Sequence, residues 1–346
     1  MSSAIAAKKR AEGEECMRAA EKAKKTSPMK LKFSPDWESA YSEYEKAITC
    51  FKVAKDMQRA IDACIMASEA HTHLDHRMYM SAKHLETAAF IAKNDLKRPD
   101  EAARLYVEAA TFHQMDGEHG NAAEDLSKAG RSVEESEPER GAKLMTQACA
   151  SVAEIEEEGK LAMGVDVYKQ AVAYLLRVKQ FSEAAELLKK QAVVHTRLQQ
   201  PHGVARCELS ITVVLLAADN FDGAEERHYA ALERGDGYAG SDEVGVGSRL
   251  LAAFTSQSDE EVAAAVKEHT LTHLENQVAR AAKTLTLQSA GVPMHKIDRG
   301  GAASGGGAGA GGNGASSGGG GALPLAGTGD FGEVAPEDEV DDDDLT

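Results

Sequence analysis

The sequence predicts an all-α protein in which antiparallel helix hairpins stack into a solenoid. Strong helix formers (Ala, Glu, Lys and Leu) recur throughout the first 285 residues, and only eight of the 346 residues are proline. A pattern of residue sizes also repeats: a small residue, a larger one four positions later and a small one seven positions later. These three positions share one face of a helix. The clearest copy is Ala102, Tyr106 and Ala109, and Pro99 with Asp100 marks the start of its helix.

This pattern occurs ten times, at intervals of 19 to 23 residues. Such an interval fits a helix of about four turns plus a short connection, so successive helices should run antiparallel and pair into repeats of 40 to 42 residues. Small contact residues and interleaved Tyr or Leu are typical of a right-handed tetratricopeptide-like solenoid, here with a C-terminal helical cap. The alternative is a globular α-bundle with an alanine-rich core. The ten leading residues are Ala40, Ala60, Ala82, Ala102, Ala122, Gly141, Gly164, Ala184, Val204 and Gly223.

The pattern is imperfect, and the match weakens toward the C-terminus. Glu86, Glu208 and Arg227 stand where a large apolar residue is expected. These three positions are departures for which the repeat itself offers no explanation.

The N-terminal elements have clear boundaries. A helix with a weakly apolar face should cover residues 3–25, and the two prolines of 26–35 then interrupt it. Ser34, Pro35 and Asp36 offer an N-cap, a first-turn proline and a first-turn acid for the second helix.

The C-terminal third changes character. Residues 235–248 read as a flexible connection, the helical pattern resumes at Arg249, and residues 262–287 predict one or two closing helices. Residues 300–329 are almost wholly Gly, Ala and Ser, which predicts a flexible linker. The predicted domains are a solenoid at 1–235, a C-terminal helical bundle at 236–290, a disordered linker at 291–329 and an acidic tail at 330–346.

Charge and composition exclude several classes of function. The net charge is −17, and nine acids without a base lie in 330–346, so the remainder carries only −8. Without a basic field we expect no nucleic-acid binding. The N-terminus lacks the apolar core of a secretory signal, and the longest apolar run, around Ile211 to Ala218, is too short to span a bilayer, so a cytoplasmic protein is expected.

No motif predicts catalysis, a cofactor or a metal. Gly235-Asp-Gly237-Tyr-Ala-Gly240 matches the dinucleotide fingerprint by letter but lies in no βαβ unit. The histidine groups 71–76 and 269–273 show no third convergent ligand. The five cysteines are widely spaced and read as reduced core thiols. We therefore expect a non-enzyme.

Two segments are not required by a solenoid. Met29, Lys30, Leu31, Lys32 and Phe33 alternate apolar and basic side chains, which suits contact with an anionic bilayer surface. The alternative is a loop folded onto the first helices; Phe33 fits either reading, whereas Trp37 is expected in the core.

The second such segment is the acidic C-terminus. Carboxylates at Asp341, Asp342, Asp343 and Asp344 precede a single apolar residue, Leu345. Such a run commonly serves solubility, but it can also dock on a basic partner while the leucine fills a pocket.

A resemblance to a known family rests on the N-terminal region. Leu31-Lys-Phe-Ser-Pro-Asp-Trp-Glu-Ser-Ala-Tyr-Ser-Glu-Tyr-Glu-Lys-Ala47, then Phe51-Lys-x-Ala-Lys55 and Ala60-x-Asp-Ala-Cys64, resembles the soluble NSF attachment proteins (SNAPs), closest to their gamma type. The similarity is specific over about residues 30–70, extends at repeat level to about 290, and is absent from the glycine-rich linker.

The resemblance implies an adaptor that binds the assembled SNARE four-helix bundle and recruits and stimulates the hexameric ATPase NSF in vesicle trafficking. It further implies membrane contact by Met29–Phe33, NSF contact by Asp341–Leu345, and a peripheral location on membranes of the secretory and endosomal pathway. The SNARE-facing residues do not align one by one; Lys93, Lys97, Arg98 and Arg131, near helix ends, are candidates. The alternative function is a tetratricopeptide-like peptide-binding scaffold without NSF.

Overall fold

The computed structural model describes residues 3–26, 34–74 and 78–287. Within these ranges the regular structure is helical throughout, which confirms the all-α prediction. The helices are α1 (Ser3–Lys24), α2 (Trp37–Ala54), α3 (Met57–Thr72), α4 (Tyr79–Asn94), α5 (Pro99–Met115), α6 (His119–Ser132), α7 (Pro138–Ala153), α8 (Glu158–Arg177), α9 (Phe181–Arg197), α10 (Pro201–Ala217), α11 (Phe221–Glu233), α12 (Asp242–Thr255), α13 (Asp259–Ala265), a 3₁₀ helix (His269–His273) and α14 (Asn276–Lys283).

The helices form a two-layer solenoid. From α1 to α12 each helix packs on the next, and the short connections make neighbours antiparallel. Odd-numbered and even-numbered helices therefore form separate layers, and in the even layer α6 also touches α8. The C-terminal elements close the stack, because α12 packs on α10 and α14 packs on α8 and α10.

The size pattern describes the packing surface. Ala102 and Ala109 are completely buried and Tyr106 is nearly so, as the stripe on α5 requires. The prediction for the tenth copy of the size pattern is wrong by one residue. It begins the buried stripe of α11 at Gly223, whereas the stripe begins at Ala224 and continues with His228 and Ala231. The position four residues after Ala224 is occupied by His228 and not by an apolar residue. The size pattern therefore gives no signal for the correct register in this helix.

Helix boundaries follow local capping chemistry. The Asp36 carboxylate accepts a hydrogen bond from the Ser39 backbone N–H at 3.0 Å, so Asp36, and not Ser34, is the N-cap of α2. Pro99 occupies the first turn of α5 as predicted.

The stretch 235–248 is more ordered than a flexible connection. Helix α12 begins at Asp242, well before Arg249, and Tyr238 is completely buried. Gly247 permits this packing, since a Cβ there would lie 2.9 Å from the Tyr238 hydroxyl. The closing segment also differs from expectation: α13, the 3₁₀ helix and α14 are three short pieces.

None of the helices in the described ranges is long and apolar enough to cross a membrane. The five cysteines are unpaired, and Cys64, Cys149 and Cys207 are buried as expected for core thiols. Burial raises the pKa of each of these three thiols to about 12.

Candidate partner-binding surface

The even-helix layer carries an open groove of about 390 Å³, which we call the lysine groove. Three helices of that layer, α2, α4 and α6, contribute to it, and α5 supplies part of its floor. It is lined by Lys52, Lys83, Glu86, Thr87, Phe90, Tyr106 and Lys128.

The spacing on α4 explains the apolar part of the groove. Lys83, Glu86 and Phe90 recur at intervals of three and four residues, so their side chains form one stripe along the helix. Phe90 is 58% exposed, although it is large and apolar. An exposed aromatic ring among ammonium groups is typical of a surface that binds another molecule.

The lysines of the groove are held in place by acidic partners. Lys83 Nζ lies 2.8 Å from Glu86 Oε1, and Lys128 Nζ lies 3.2 Å from Asp125 Oδ1 and 5.8 Å from the centre of the Tyr106 ring. Burial opposes the charge of both lysines, but these contacts outweigh it and raise the pKa of each. Both therefore remain charged at neutral pH. For Lys52 the structure shows no ion pair within the described residues.

A polar cluster lies beneath the groove. His113 is completely buried, and its Nε2 lies 3.0 Å from Glu86 Oε1 and 3.6 Å from Asp125 Oδ2. Burial and the nearby Glu86 carboxylate raise the pKa of Asp125 to about 7. Burial also disfavours the charge of Glu86, but hydrogen bonds from His113 and Lys83 lower its pKa overall. We refer to Glu86, His113 and Asp125 as the buried triad.

The structure brings only part of the predicted SNARE-facing set together. Lys93 is one turn beyond Phe90 on α4, and Arg131 is one turn beyond Lys128 on α6, so both extend the cationic side of the groove. Burial, and after it the charge of Arg131, lower the pKa of Lys93.

Arg98 and Lys97 behave differently. Arg98 points toward α3, where its guanidinium donates to Gln58 Oε1, and it also donates to Glu101 at 3.2 Å. Lys97 lies in the turn between α4 and α5 with a φ of 55°. Their surroundings include Glu101 and Asp100, so this edge of the solenoid is of mixed charge and not uniformly basic.

The other two predicted contact segments, Met29–Phe33 and Asp341–Leu345, lie outside the described residues. Trp37, which follows the first of them, is half-buried and packs against the core. Its ring stacks on His73 with centroids 3.9 Å apart, and Lys24 Nζ lies 5.6 Å from its centre.

The remaining motifs have structural surroundings. Gly235 and Gly237 adopt positive φ values of 68° and 99° in the turn after α11. His269 and His273 contact each other at 3.2 Å on the surface, and His71 lies edge-on to Tyr41.

Sequence reasoning missed Lys52, Lys83, Phe90 and Lys128. Counted from the leading small residue of each helix, the three lysines occupy different positions, so the repeat gives no signal for them. Glu86 did give a signal, since it breaks the size pattern and is itself one of the three residues of the buried triad.

An antiparallel helical solenoid with an exposed cationic groove defines a helical-repeat protein, a class built for binding other macromolecules. Residues 11–276 match the family model described as "Soluble NSF attachment protein, SNAP", which is more than half of the chain. The chain therefore belongs to the SNAP family.

Two relatives agree with this assignment. The chain is 31% identical over 287 residues to a gamma-soluble NSF attachment protein of Dictyostelium discoideum, covering 83% of this chain and 86% of that protein. It is 27% identical over 265 residues to a gamma-soluble NSF attachment protein of Arabidopsis thaliana, covering 76% of this chain and 89% of that protein.

Proposed function

We propose that this protein is an adaptor, and not itself an enzyme, that binds assembled SNARE bundles at membranes and recruits and stimulates NSF. Support comes from family membership and from the names of the two relatives, each an NSF attachment protein. The observation that carries the proposal is the lysine groove, a cationic and aromatic surface on one layer of the solenoid.

The groove has the chemistry that an acidic helical rod requires. Ammonium groups of Lys52, Lys83 and Lys128 would meet carboxylates of the SNARE bundle, and Phe90 would cover its apolar parts. Lys93 and Arg131 extend this cationic side along α4 and α6. Lys52 and Arg131 are exposed and the other three cations are half-buried, so salt screens part of this attraction and we expect association to slow as salt increases.

The two ends of the chain complete the proposed adaptor. Met29, Leu31 and Phe33, with Lys30 and Lys32, would contact an anionic membrane, which gives the peripheral location on secretory and endosomal membranes. The carboxylates of Asp341–Asp344 and the side chain of Leu345 would contact NSF.

A charge reversal tests the groove. We expect Lys52→Glu with Arg131→Glu to weaken binding to a purified SNARE bundle about tenfold, which corresponds to about 1.4 kcal/mol. Both side chains are exposed and neither has an ion pair within the described residues, so the variant should fold normally. Lys143→Glu with Lys190→Glu changes the net charge equally, but on exposed positions of the odd-numbered helices α7 and α9.

Binding constants measured at low and physiological salt decide the outcome. Equal losses in both variants would show a general charge effect and reject the groove as the contact surface. A mixture of wild-type protein, SNARE bundle and NSF that yields no ternary complex would instead favour a peptide-binding scaffold without NSF.

A further inference from the structure

Three side chains with metal-binding chemistry converge beneath the lysine groove. Glu86 comes from α4, His113 from α5 and Asp125 from α6, and one ligand atom from each lies within 4.8 Å of the others. In the part of the chain that the structure describes, this is the one group of three or more His, Cys, Asp or Glu residues close enough to share an ion. Sequence spacing could not reveal it, because the residues are far apart along the chain.

The distances suit a small divalent cation. Zn²⁺ binds imidazole nitrogen and carboxylate oxygen at about 2.0–2.2 Å, so two ligand atoms of a tetrahedral ion lie about 3.3 Å apart. His113 Nε2 is 3.0 Å from Glu86 Oε1 and 3.6 Å from Asp125 Oδ2. The Glu86 and Asp125 oxygens lie within 4.8 Å of each other and would have to approach to about 3.3 Å for all three atoms to bind one ion, leaving a fourth position for water.

A second observation points to a missing ligand. Asp125 is 1% exposed, and its Oδ2 atom has no hydrogen-bond partner, although it faces His113 Nε2. A buried carboxylate oxygen without a partner is costly, because it has lost its water and gained nothing in return. His113 Nε2 donates to Glu86 Oε1 in the ion-free protein, so a cation that takes the Nε2 lone pair would displace that proton to Nδ1, which is buried and has no partner.

Lys83 and Lys128 compete with a metal for these carboxylates. Lys83 Nζ lies 2.8 Å from Glu86 Oε1, but its side chain is 37% exposed and can turn into the solvent. Lys128 contacts the other oxygen of Asp125, Oδ1, at 3.2 Å. The charges of Glu86 and Asp125 would balance a divalent ion, so a metal can replace Lys83 without leaving a buried excess charge.

We propose that Glu86, His113 and Asp125 form a binding site for a divalent transition-metal ion of the Zn²⁺ type. One imidazole and two carboxylates favour such an ion over Cu⁺, which prefers sulfur, and over Ca²⁺, which prefers an all-oxygen shell. A bound ion would join three consecutive helices directly under the lysine groove. The site does not depend on the proposed SNARE adaptor function.

Calorimetric titration of the full-length protein with Zn²⁺ tests the site. The titration uses a background variant that carries His269→Gln and His273→Gln, because that exposed histidine pair could bind Zn²⁺ weakly. Excess Mg²⁺ is added to occupy the carboxylates of the acidic tail. In this background we expect one Zn²⁺ per chain and an increase in melting temperature on Zn²⁺ addition. Asp125→Asn and His113→Gln should each weaken binding by at least about tenfold.

Two further variants keep the test decisive if those substitutions impair folding. Lys83→Met removes the competing ammonium group and should tighten Zn²⁺ binding while leaving all three ligands in place. Glu124→Gln is the matched control, since Glu124 precedes Asp125, contacts Lys128 at 3.0 Å and is 56% exposed, but contributes no ligand to the triad. It should leave Zn²⁺ binding unchanged.

Absence of stoichiometric Zn²⁺ binding by both the background protein and the Lys83→Met variant would overturn the proposal. Binding that survives Asp125→Asn and His113→Gln with unchanged affinity would overturn it equally, because the ion would then lie elsewhere. Neither result would bear on SNARE binding, which is measured separately.

Discussion

His228 joins two helices through a fully hydrogen-bonded imidazole ring. Nδ1 lies 2.9 Å from the Tyr238 hydroxyl and Nε2 lies 3.0 Å from Ser248 Oγ, while the residue is 2% exposed. Burial lowers the pKa of His228, and the nearby Glu208 only partly opposes this effect. The folded protein therefore holds this histidine neutral, whereas the unfolded chain would protonate it on mild acidification.

This difference predicts a pH dependence of stability. Because the folded pKa lies below the unfolded one, the contribution is complete above the unfolded pKa of about 6.5 and is lost as pH falls through the folded pKa. His84 and His195, whose pKa values burial also lowers, act in the same direction. Asp125, whose pKa burial raises to about 7, acts in the opposite direction, so we expect His228→Gln to lose less unfolding free energy than the wild type between about pH 7.5 and about pH 5.5.

Urea unfolding at several pH values measures this slope. The exposed His202 gives the control, since His202→Gln should leave the slope unchanged. If His228→Gln keeps the wild-type slope, protonation of His228 is not coupled to unfolding.

Buried polar residues also show what the sequence reveals at this scale. Glu208, which broke the size pattern, is 1% exposed and accepts hydrogen bonds from Arg227 at 2.8 and 2.6 Å and from Arg234 at 2.5 Å. Arg227 counted as a departure only because the tenth copy was assigned one residue too early, so the two genuine departures are Glu208 in this ion cluster and Glu86 in the buried triad. The sequence marks such positions, but the partners come from other elements and are invisible without the fold.

At the scale of helices, close approach depends on small residues at defined positions. Gly164 leads the α8 copy of the size pattern, and a Cβ there would lie 2.3 Å from Val152 Cγ1 on α7. Valine is short and branched, so it cannot turn aside easily. The glycine is therefore required for the α7–α8 contact and not for backbone freedom.

A pair of alanine substitutions in one helix tests this contact. Gly164→Ala should lower the unfolding free energy by about 1–3 kcal/mol through overpacking. Gly159→Ala, where no atom lies within 4 Å of the added Cβ, should instead raise it by no more than about 1 kcal/mol, since Ala favours a helix. Thermal or urea unfolding of the two variants compares them directly. Equal effects would mean that the α7–α8 contact tolerates an extra methyl group.

Most helices could be predicted from the periodic size pattern, because each helix packs on the next through the same kind of small-residue contact. The prediction failed at α11 and at the start of α12, where His228, Tyr238 and Gly247 pack together in a way specific to that place. A periodic pattern reveals only contacts that occur in every repeat. Contacts that occur at one place in the chain, such as these, leave no periodic signal.

At the scale of the whole molecule, the fold follows from the sequence far more completely than the binding surface does. The solenoid results from about twenty-residue spacing along the chain. The lysine groove results from side chains on α2, α4 and α6 that meet only when the layers form. Of the four residues predicted to face the SNARE bundle, Lys93 and Arg131 lie beside the groove, whereas Arg98 turns toward α3.

The proposed division of labour between the helical body and the C-terminus predicts separable defects. Deletion of Leu345 and Thr346 should leave SNARE binding intact but strongly reduce stimulation of NSF ATPase activity, because the apolar side chain at the end of the acidic run is lost. Deletion of Thr346 alone is the matched control and should have little effect. ATPase rates with saturating SNARE bundle measure both variants. Full stimulation by the longer deletion would exclude Leu345 from NSF contact.

The position of Trp37 has an optical consequence. The chain contains one tryptophan, and it lies at the beginning of α2, stacked on His73 and close to Lys24. Emission excited at wavelengths that select tryptophan therefore comes from a single residue, four positions after Phe33 in the sequence. A change in its intensity or colour when lipid vesicles are added would report on that end of the protein without an attached dye, and it would be insensitive to events at the distant C-terminal helices.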